Sequence, residues 1–232
     1  DTLCEPTREH VVPAWFITAV GSDHLETFNA RSPTGHLRGD LLIKDVCGPC
    51  NNVLLGDLDA YGQQLFEEFF QHPVYSGESV LFRCDRSRLL RWLLKLCFNS
   101  ARAHNADVTI LRKYRRAILG NDRVGGVPLF AHVIAPTDRS TLPPSPAYRI
   151  LGSPDIVQPC WFRLTQFRPP LPILTAIVQR QVYINSFCFT LLVPDPDQPE
   201  HVSHLEQLRS AIQEWLWDAV EIYENGDARL TP

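Results

Sequence analysis

The chain contains no methionine, no apolar run long enough to cross a bilayer, no internal repeat and no low-complexity tract. Its most apolar stretch, residues 89–98, is broken by Arg91 and Lys95. A transmembrane helix needs about 18 or more predominantly apolar residues, so neither a membrane span nor a membrane partner is expected. The first residues show no cationic segment followed by an apolar one, so nothing reads as a secretory signal and the expected location is cytoplasmic. Because the sequence opens on Asp1 without Met, either an initiator residue was removed or the natural N-terminus lies upstream. A strong basic balance is missing too: 22 Lys and Arg against 26 Asp and Glu give a net charge of -4. That excludes a protein coated in nucleic-acid-binding surface and leaves only local contacts to nucleic acid. Cysteine is sparse and odd in number, at 7, and its only close pair is Cys47 and Cys50, which fits metal binding better than a disulfide framework. Cys84, Cys97, Cys160 and Cys188 lie in apolar stretches and read as small buried hydrophobes.

What is present is a globular composition, 44% hydrophobic and 21% charged over 232 residues, enough to build a core without an external staple. Residues 8–20 are β-branched and aromatic with Pro13 in the middle, which predicts an irregular strand or bulged hairpin arm. Residues 21–40 are polar and turn-rich and predict a loop, followed by a short strand over 40–46. From Asn51 the apolar positions Leu54, Leu58, Tyr61, Leu65 and Phe69 recur at helical spacing, with Asn51 or Asn52 as cap, until His72-Pro73 ends the helix. A strand is expected over 79–84, a core helix over 86–104 and a helix over 108–119. Residues 121–195 predict an antiparallel sheet, from segments 127–135, 148–151, 157–166 and 177–193. The capping box Ser203-His204-Leu205-Glu206 opens a last helix, 203–223, with Leu205, Leu208, Ile212, Trp215 and Val220 inward. The expected fold class is α+β. Its division is a motif over 1–72 and a second region over 73–232, made of the helices 86–119, the β-rich part 121–195 and the helix 203–223. Trp15, Phe66, Phe69, Phe70, Trp92, Trp161, Trp215 and Trp217 are expected in the core.

Two features share the first sixty residues: Glu9-His10-Val11-Val12-Pro13-Ala14-Trp15, and Cys47-Gly48-Pro49-Cys50-Asn51-Asn52 opening a helix that carries Leu58-Asp59. Together they resemble the HNH (ββα-metal, His-Me finger) endonuclease superfamily, among its members with an EHVxPxW strand and a CxxCNN helix start. The resemblance covers about residues 1–60 and, more loosely, Arg91-Trp92 to Lys95. It implies a zinc-stapled ββα-metal motif at the N-terminus, followed by helices and an antiparallel sheet with a C-terminal helix. It also implies a metal-dependent endonuclease acting on DNA, with His10 as general base and Glu9 and Asn51 holding a catalytic Mg²⁺ or Mn²⁺. Cys4, Cys47 and Cys50 would hold a structural Zn²⁺; either Asp1 is the fourth ligand, carboxylate being acceptable though less usual, or the site is completed otherwise or lost.

The residue types suit that chemistry. Phosphodiester hydrolysis needs a base to deprotonate water and a cation to neutralise charge developing on the phosphate. An unperturbed imidazole titrates at roughly 6.5 and so stays largely neutral at cellular pH. Mg²⁺ prefers oxygen ligands and keeps several waters, so a carboxylate and an amide oxygen can suffice. Arg112, Lys113, Arg115 and Arg116 form the one dense basic cluster and are the candidate nucleic-acid contact, although such a run is also an ordinary solvated helix face. The C-terminal region would shape substrate choice or homo-oligomer formation. Blander readings stand beside these. Cys47 and Cys50 could be a reduced or redox pair, Asn51 a helix cap, and Asp57 and Asp59 acids favoured by the helix dipole. Ile43, Lys44 and Asp45 occupy the place of the family's middle Asn, which orients the base. The alternative function is therefore a catalytically impaired, zinc-stabilised nucleic-acid- or protein-binding module on the same scaffold.

Overall fold

Pro6 to His10 form strand β1, and Pro13 then ends the extended chain. At φ -54° and ψ 136° it precedes helix α1 (Ala14–Val20), which Gly21 closes at φ 84° with its N–H on the Ile17 carbonyl. One strand over 8–20 is thus corrected to a strand and a helix. Phe16 is buried, and Trp15 and Phe16 pack their rings against Phe66, so tertiary contacts override the β propensity of Ile17, Thr18 and Val20. The computed structural model describes residues 5–21, 26–28, 36–38, 42–104, 107–138, 156–157, 162–166, 177–198, 200–201, 204–206, 209–210, 219–224 and 226–232. Asp1, Cys4, Cys160, Trp161, Ser203, Leu208, Ile212, Trp215, Trp217 and the expected strand 148–151 lie outside them.

Within the expected loop 21–40, β2 (Glu26–Phe28) and β3 (His36–Arg38) pair antiparallel, a correction explained by the strand formers Thr27, Phe28 and Leu37 within a polar surround. The predicted strand over 40–46 is β4 (Leu42–Cys47). It pairs antiparallel with β1, Pro6 opposite Cys47 and His10 opposite Leu42, with a register irregularity between Thr7 and Glu9.

The predicted helix after Asn51 is one helical run in three parts: a π-helical turn Cys50–Leu55, helix α2 (Gly56–Leu65) and a second π-helical turn Phe66–Phe70. A π turn takes an extra residue and so rotates the following face. Leu54, expected inward, is accordingly 37% exposed and Leu55 is buried in its place, while Leu58, Tyr61 and Leu65 face inward as expected. Strand β5 (Val80–Arg83) and helix α3 (Arg86–His104) follow. Asp85 caps α3, its Oδ1 accepting the Arg88 N–H at 3.0 Å. The single helix expected over 108–119 is two, α4 (Val108–Lys113) and α5 (Arg115–Ile118). The break falls at Tyr114, whose hydroxyl donates to the Pro194 carbonyl at 2.9 Å.

The β-rich region forms β6 (Leu129–Val133), the short pair β7 (Thr137–Asp138) and β8 (Ile156–Val157), then β9 (Phe162–Gln166), β10 (Ile177–Ile184) and β11 (Phe187–Pro194). With β12 (Val220–Glu221), strands β6, β9, β10 and β11 give an antiparallel five-stranded sheet in the order β12-β6-β11-β10-β9. The last predicted helix is corrected at its end: residues 204–206 and 209–210 are helical, but Val220 and Glu221 pair with Ala131 and Phe130 of β6. Strand β13 (Asp227–Leu230) returns to β5. Its approach needs Gly226, at φ 73°, where a Cβ would stand 1.7 Å from the Cys84 carbonyl oxygen.

One apolar cluster joins Phe16 and Leu58 to Leu93 of α3 and to Val182 and Phe189 of the sheet, so the core runs on past residue 72. Phe70 belongs to it, its ring 4.8 Å from Phe187 and 5.8 Å from Phe189. The β10–β11 turn fastens the end of the same helical run: Asn185 donates to the Phe70 carbonyl at 3.0 Å, and Ser186 accepts the Val74 N–H at 2.8 Å. No helix among the described residues is long and apolar enough to cross a membrane.

Candidate active site and metal centre

Strand β1 ends at the dipeptide Glu9-His10. Strand β4 ends at Cys47, and Gly48 and Pro49 turn the chain into the helical turn that carries Cys50 and Asn51. Three bonds tie these pieces together. Thr7 donates its hydroxyl to the Val46 carbonyl at 2.8 Å, and the Asn51 amide donates to Thr7 Oγ1 at 3.0 Å and to the Arg8 carbonyl at 2.9 Å. Asn51 is therefore not a helix cap; Pro49 precedes the first turn and no side chain caps it. With its Nδ2 on β1, the amide leaves Oδ1 as a hard oxygen donor. That chemistry fits an Mg²⁺ or Mn²⁺ site.

Glu9 turns inward and is 5% exposed. Its carboxylate lies 2.7 Å from the Lys95 ammonium and accepts a hydrogen bond from Asn99 at 3.2 Å. Lys95, 2% exposed on α3, also reaches Asp59 of α2 at 2.6 Å. Burial raises the Asp59 carboxyl above its ordinary range, and the attraction and hydrogen bond of Lys95 oppose that rise. Asp59 is thus a charge partner of α3, whereas Asp57 meets Arg88 at 3.2 Å at the surface. Asn99 also donates to the His10 carbonyl at 3.1 Å, and Arg102 in turn donates to Asn99 Oδ1. His10 itself is half-buried.

Lys95, Asn99 and Arg102 are not among the site residues expected from the sequence. Their signal is legible there as polar residues at i, i+4 and i+7 of a helix otherwise apolar on more than one side. Such a stripe says that polar partners face the helix, and nothing local says which.

Cys47 and Cys50 are half-buried and not joined by a disulfide. Two thiols across a Gly-Pro turn at a helix start suit a zinc knuckle. Among the described residues no group of three or more His, Cys, Asp or Glu side chains is close enough to hold a metal ion, and Asp1 and Cys4 fall outside those residues. Arg112, Lys113, Arg115 and Arg116 are all exposed, but part of their charge is matched locally. Lys113 meets Asp195 at 2.5 Å and Asp197 at 2.6 Å, and Arg116 meets Asp122 at 2.9 Å. Those hydrogen bonds raise the Lys113 ammonium pKa and hold the Asp195 carboxyl below its usual range.

Searches of family models, curated proteins and solved structures give no match to this chain.

Proposed function

We propose that residues 1–72 form an HNH-type, metal-dependent endonuclease motif that hydrolyses DNA phosphodiester bonds, with His10 as general base and Asn51 as the amide ligand of Mg²⁺ or Mn²⁺. The observation that carries the reading is the Asn51 amide bonded across to Thr7 and Arg8, which fixes the helix start beside the strand that ends in His10. The His10 imidazole accepts a proton from water, and the resulting hydroxide oxygen attacks phosphorus in line. The opposite P–O bond then breaks, and its oxygen takes a proton from solvent. A bound divalent cation supplies neutralisation of the charge that develops on the phosphate. Asn99 restrains the backbone of His10, and Thr7 and Arg8 orient the Asn51 amide. Cys47 and Cys50, with Cys4 and Asp1, are proposed to hold a structural Zn²⁺ that pins the helix start.

One observation favours a second reading, a binding module without cleavage: the acid next to the base is already paired with a buried lysine. Two assays separate the readings. Supercoiled plasmid is incubated with Mg²⁺, Mn²⁺ or EDTA, and DNA mobility shifts are measured over a series of salt concentrations. Metal-dependent nicking is the expected result; DNA retention at every metal condition without nicking would replace the nuclease with the binding module.

A further inference from the structure

Glu9 is the residue that the resemblance assigns to the catalytic cation, and its surroundings give it another partner. We infer that Lys95 is the permanent counter-ion of Glu9, an internal cation supplied by α3, and that Glu9 is therefore not a ligand of the divalent ion. The inference rests on the proposed nuclease reading for the cation itself, and on the geometry alone for the Glu9–Lys95 pairing.

Three observations converge. Glu9 Oε1 lies 2.7 Å from Lys95 Nζ and 3.2 Å from Asn99 Nδ2, so both lone pairs of that oxygen are engaged. Lys95 is enclosed, and its other partner is also a carboxylate, Asp59 at 2.6 Å, which makes an acid–base–acid triad linking β1, α3 and α2. Such a triad is stable only while every member keeps its partner, because a lone buried charge is costly. Finally, Mg²⁺ gives up its waters reluctantly and usually keeps several, while Glu9 is almost wholly enclosed by protein. The ammonium beside Oε1 repels a second cation at the same carboxylate. Asn51, by contrast, is only half-buried at the helix start.

The test combines a stability cycle with direct metal binding on the full chain. Glu9→Gln is expected to lower Tm in the wild-type background, because it leaves the buried Lys95 ammonium one carboxylate, Asp59, in place of two, and to raise Tm in a Lys95→Met background, because it removes one of two unneutralised carboxylates. If Lys95→Met alone does not fold, Lys95→Met with Glu9→Gln is expected to recover folding. A Glu9→Gln effect of the same sign in both backgrounds, or no rescue, overturns the pairing. Mn²⁺ affinity, read by calorimetric titration of wild type and Glu9→Gln, is expected to match. A weakening of about tenfold or more, the range that loss even of an outer-shell partner brings, would make Glu9 a ligand and overturn the inference. Should the wild type bind no Mn²⁺ even with a short DNA duplex present, the nuclease reading fails, and the sign of the cycle still decides the pairing.

Discussion

Gly62→Ala tests the packing that brings α2 and α3 together and so sets Asp59 against Lys95. A Cβ at residue 62 would stand 2.3 Å from Trp92 Cε2, 2.4 Å from Cζ2 and 2.6 Å from Nε1. Carbon atoms pack best at about 3.5–4.0 Å, so the ring or the helix would have to shift by more than about 1 Å. Trp92 is almost wholly enclosed and has nowhere to go. Overpacking of a filled core costs about 1–3 kcal/mol, and an overlap this deep belongs at the upper end. Against it, alanine in a helix interior gains about 1 kcal/mol over glycine. The net loss is about 2 kcal/mol, which for a chain of this length lowers Tm by about 4–8 °C. Thermal unfolding followed by far-UV circular dichroism and tryptophan fluorescence measures it. Trp92→Phe removes the three atoms that the new Cβ would meet, so Gly62→Ala should cost little or even stabilise in that background. A Gly62→Ala protein as stable as wild type, or an unchanged cost in the Trp92→Phe background, would refute the packing argument.

Other outcomes follow from the same site. Lys95→Met should cost about 3–5 kcal/mol near neutral pH, as breaking a buried ion pair does. The pH dependence has a definite sign, since the folded-state pKa of Asp59 is raised by burial and loses the opposing influence of Lys95. A raised carboxyl favours the fold while protonated and loses that contribution as pH rises through its folded value. The Tm gap between wild type and Lys95→Met should therefore widen from acid to neutral pH, and a constant gap in melts across that range would contradict it. Asn99→Leu frees the His10 carbonyl and should lower kcat by about tenfold to a hundredfold with little change in KM, the pattern of a misplaced catalytic group, read from steady-state nicking rates. Purified protein should carry one equivalent of zinc by elemental analysis, lost in Cys47→Ser; full retention of zinc in that variant would remove the knuckle.

How much of this is legible in the sequence depends on whether the controlling contacts are local. Helix α3 is bounded correctly because its long apolar run is framed by the Asp85 cap and a polar end, all within one segment. Residues 177–193 read as one β segment, but the turn at Asn185 and Ser186 that divides it into β10 and β11 is not read from it, since neither Gly nor Pro marks the place. Helix α1 is not legible, because Ile17, Thr18 and Val20 favour strands and only burial of Phe16 against distant residues decides for helix. Leu54 is misplaced by a π-helical turn that no 3.6-residue count reveals. In the site, Glu9, His10, Cys47, Cys50 and Asn51 are visible as a spacing pattern. The partner of Glu9 lies far along the chain, at Lys95, and pairing at that range is written only in the fold.

The most direct test of the nuclease claim is plasmid nicking in Mn²⁺ by wild type and His10→Ala prepared side by side, with equal Tm as the control for folding. The account predicts nicking by the wild type and its loss in His10→Ala at unchanged fold. Equal nicking by a folded His10→Ala protein would contradict it.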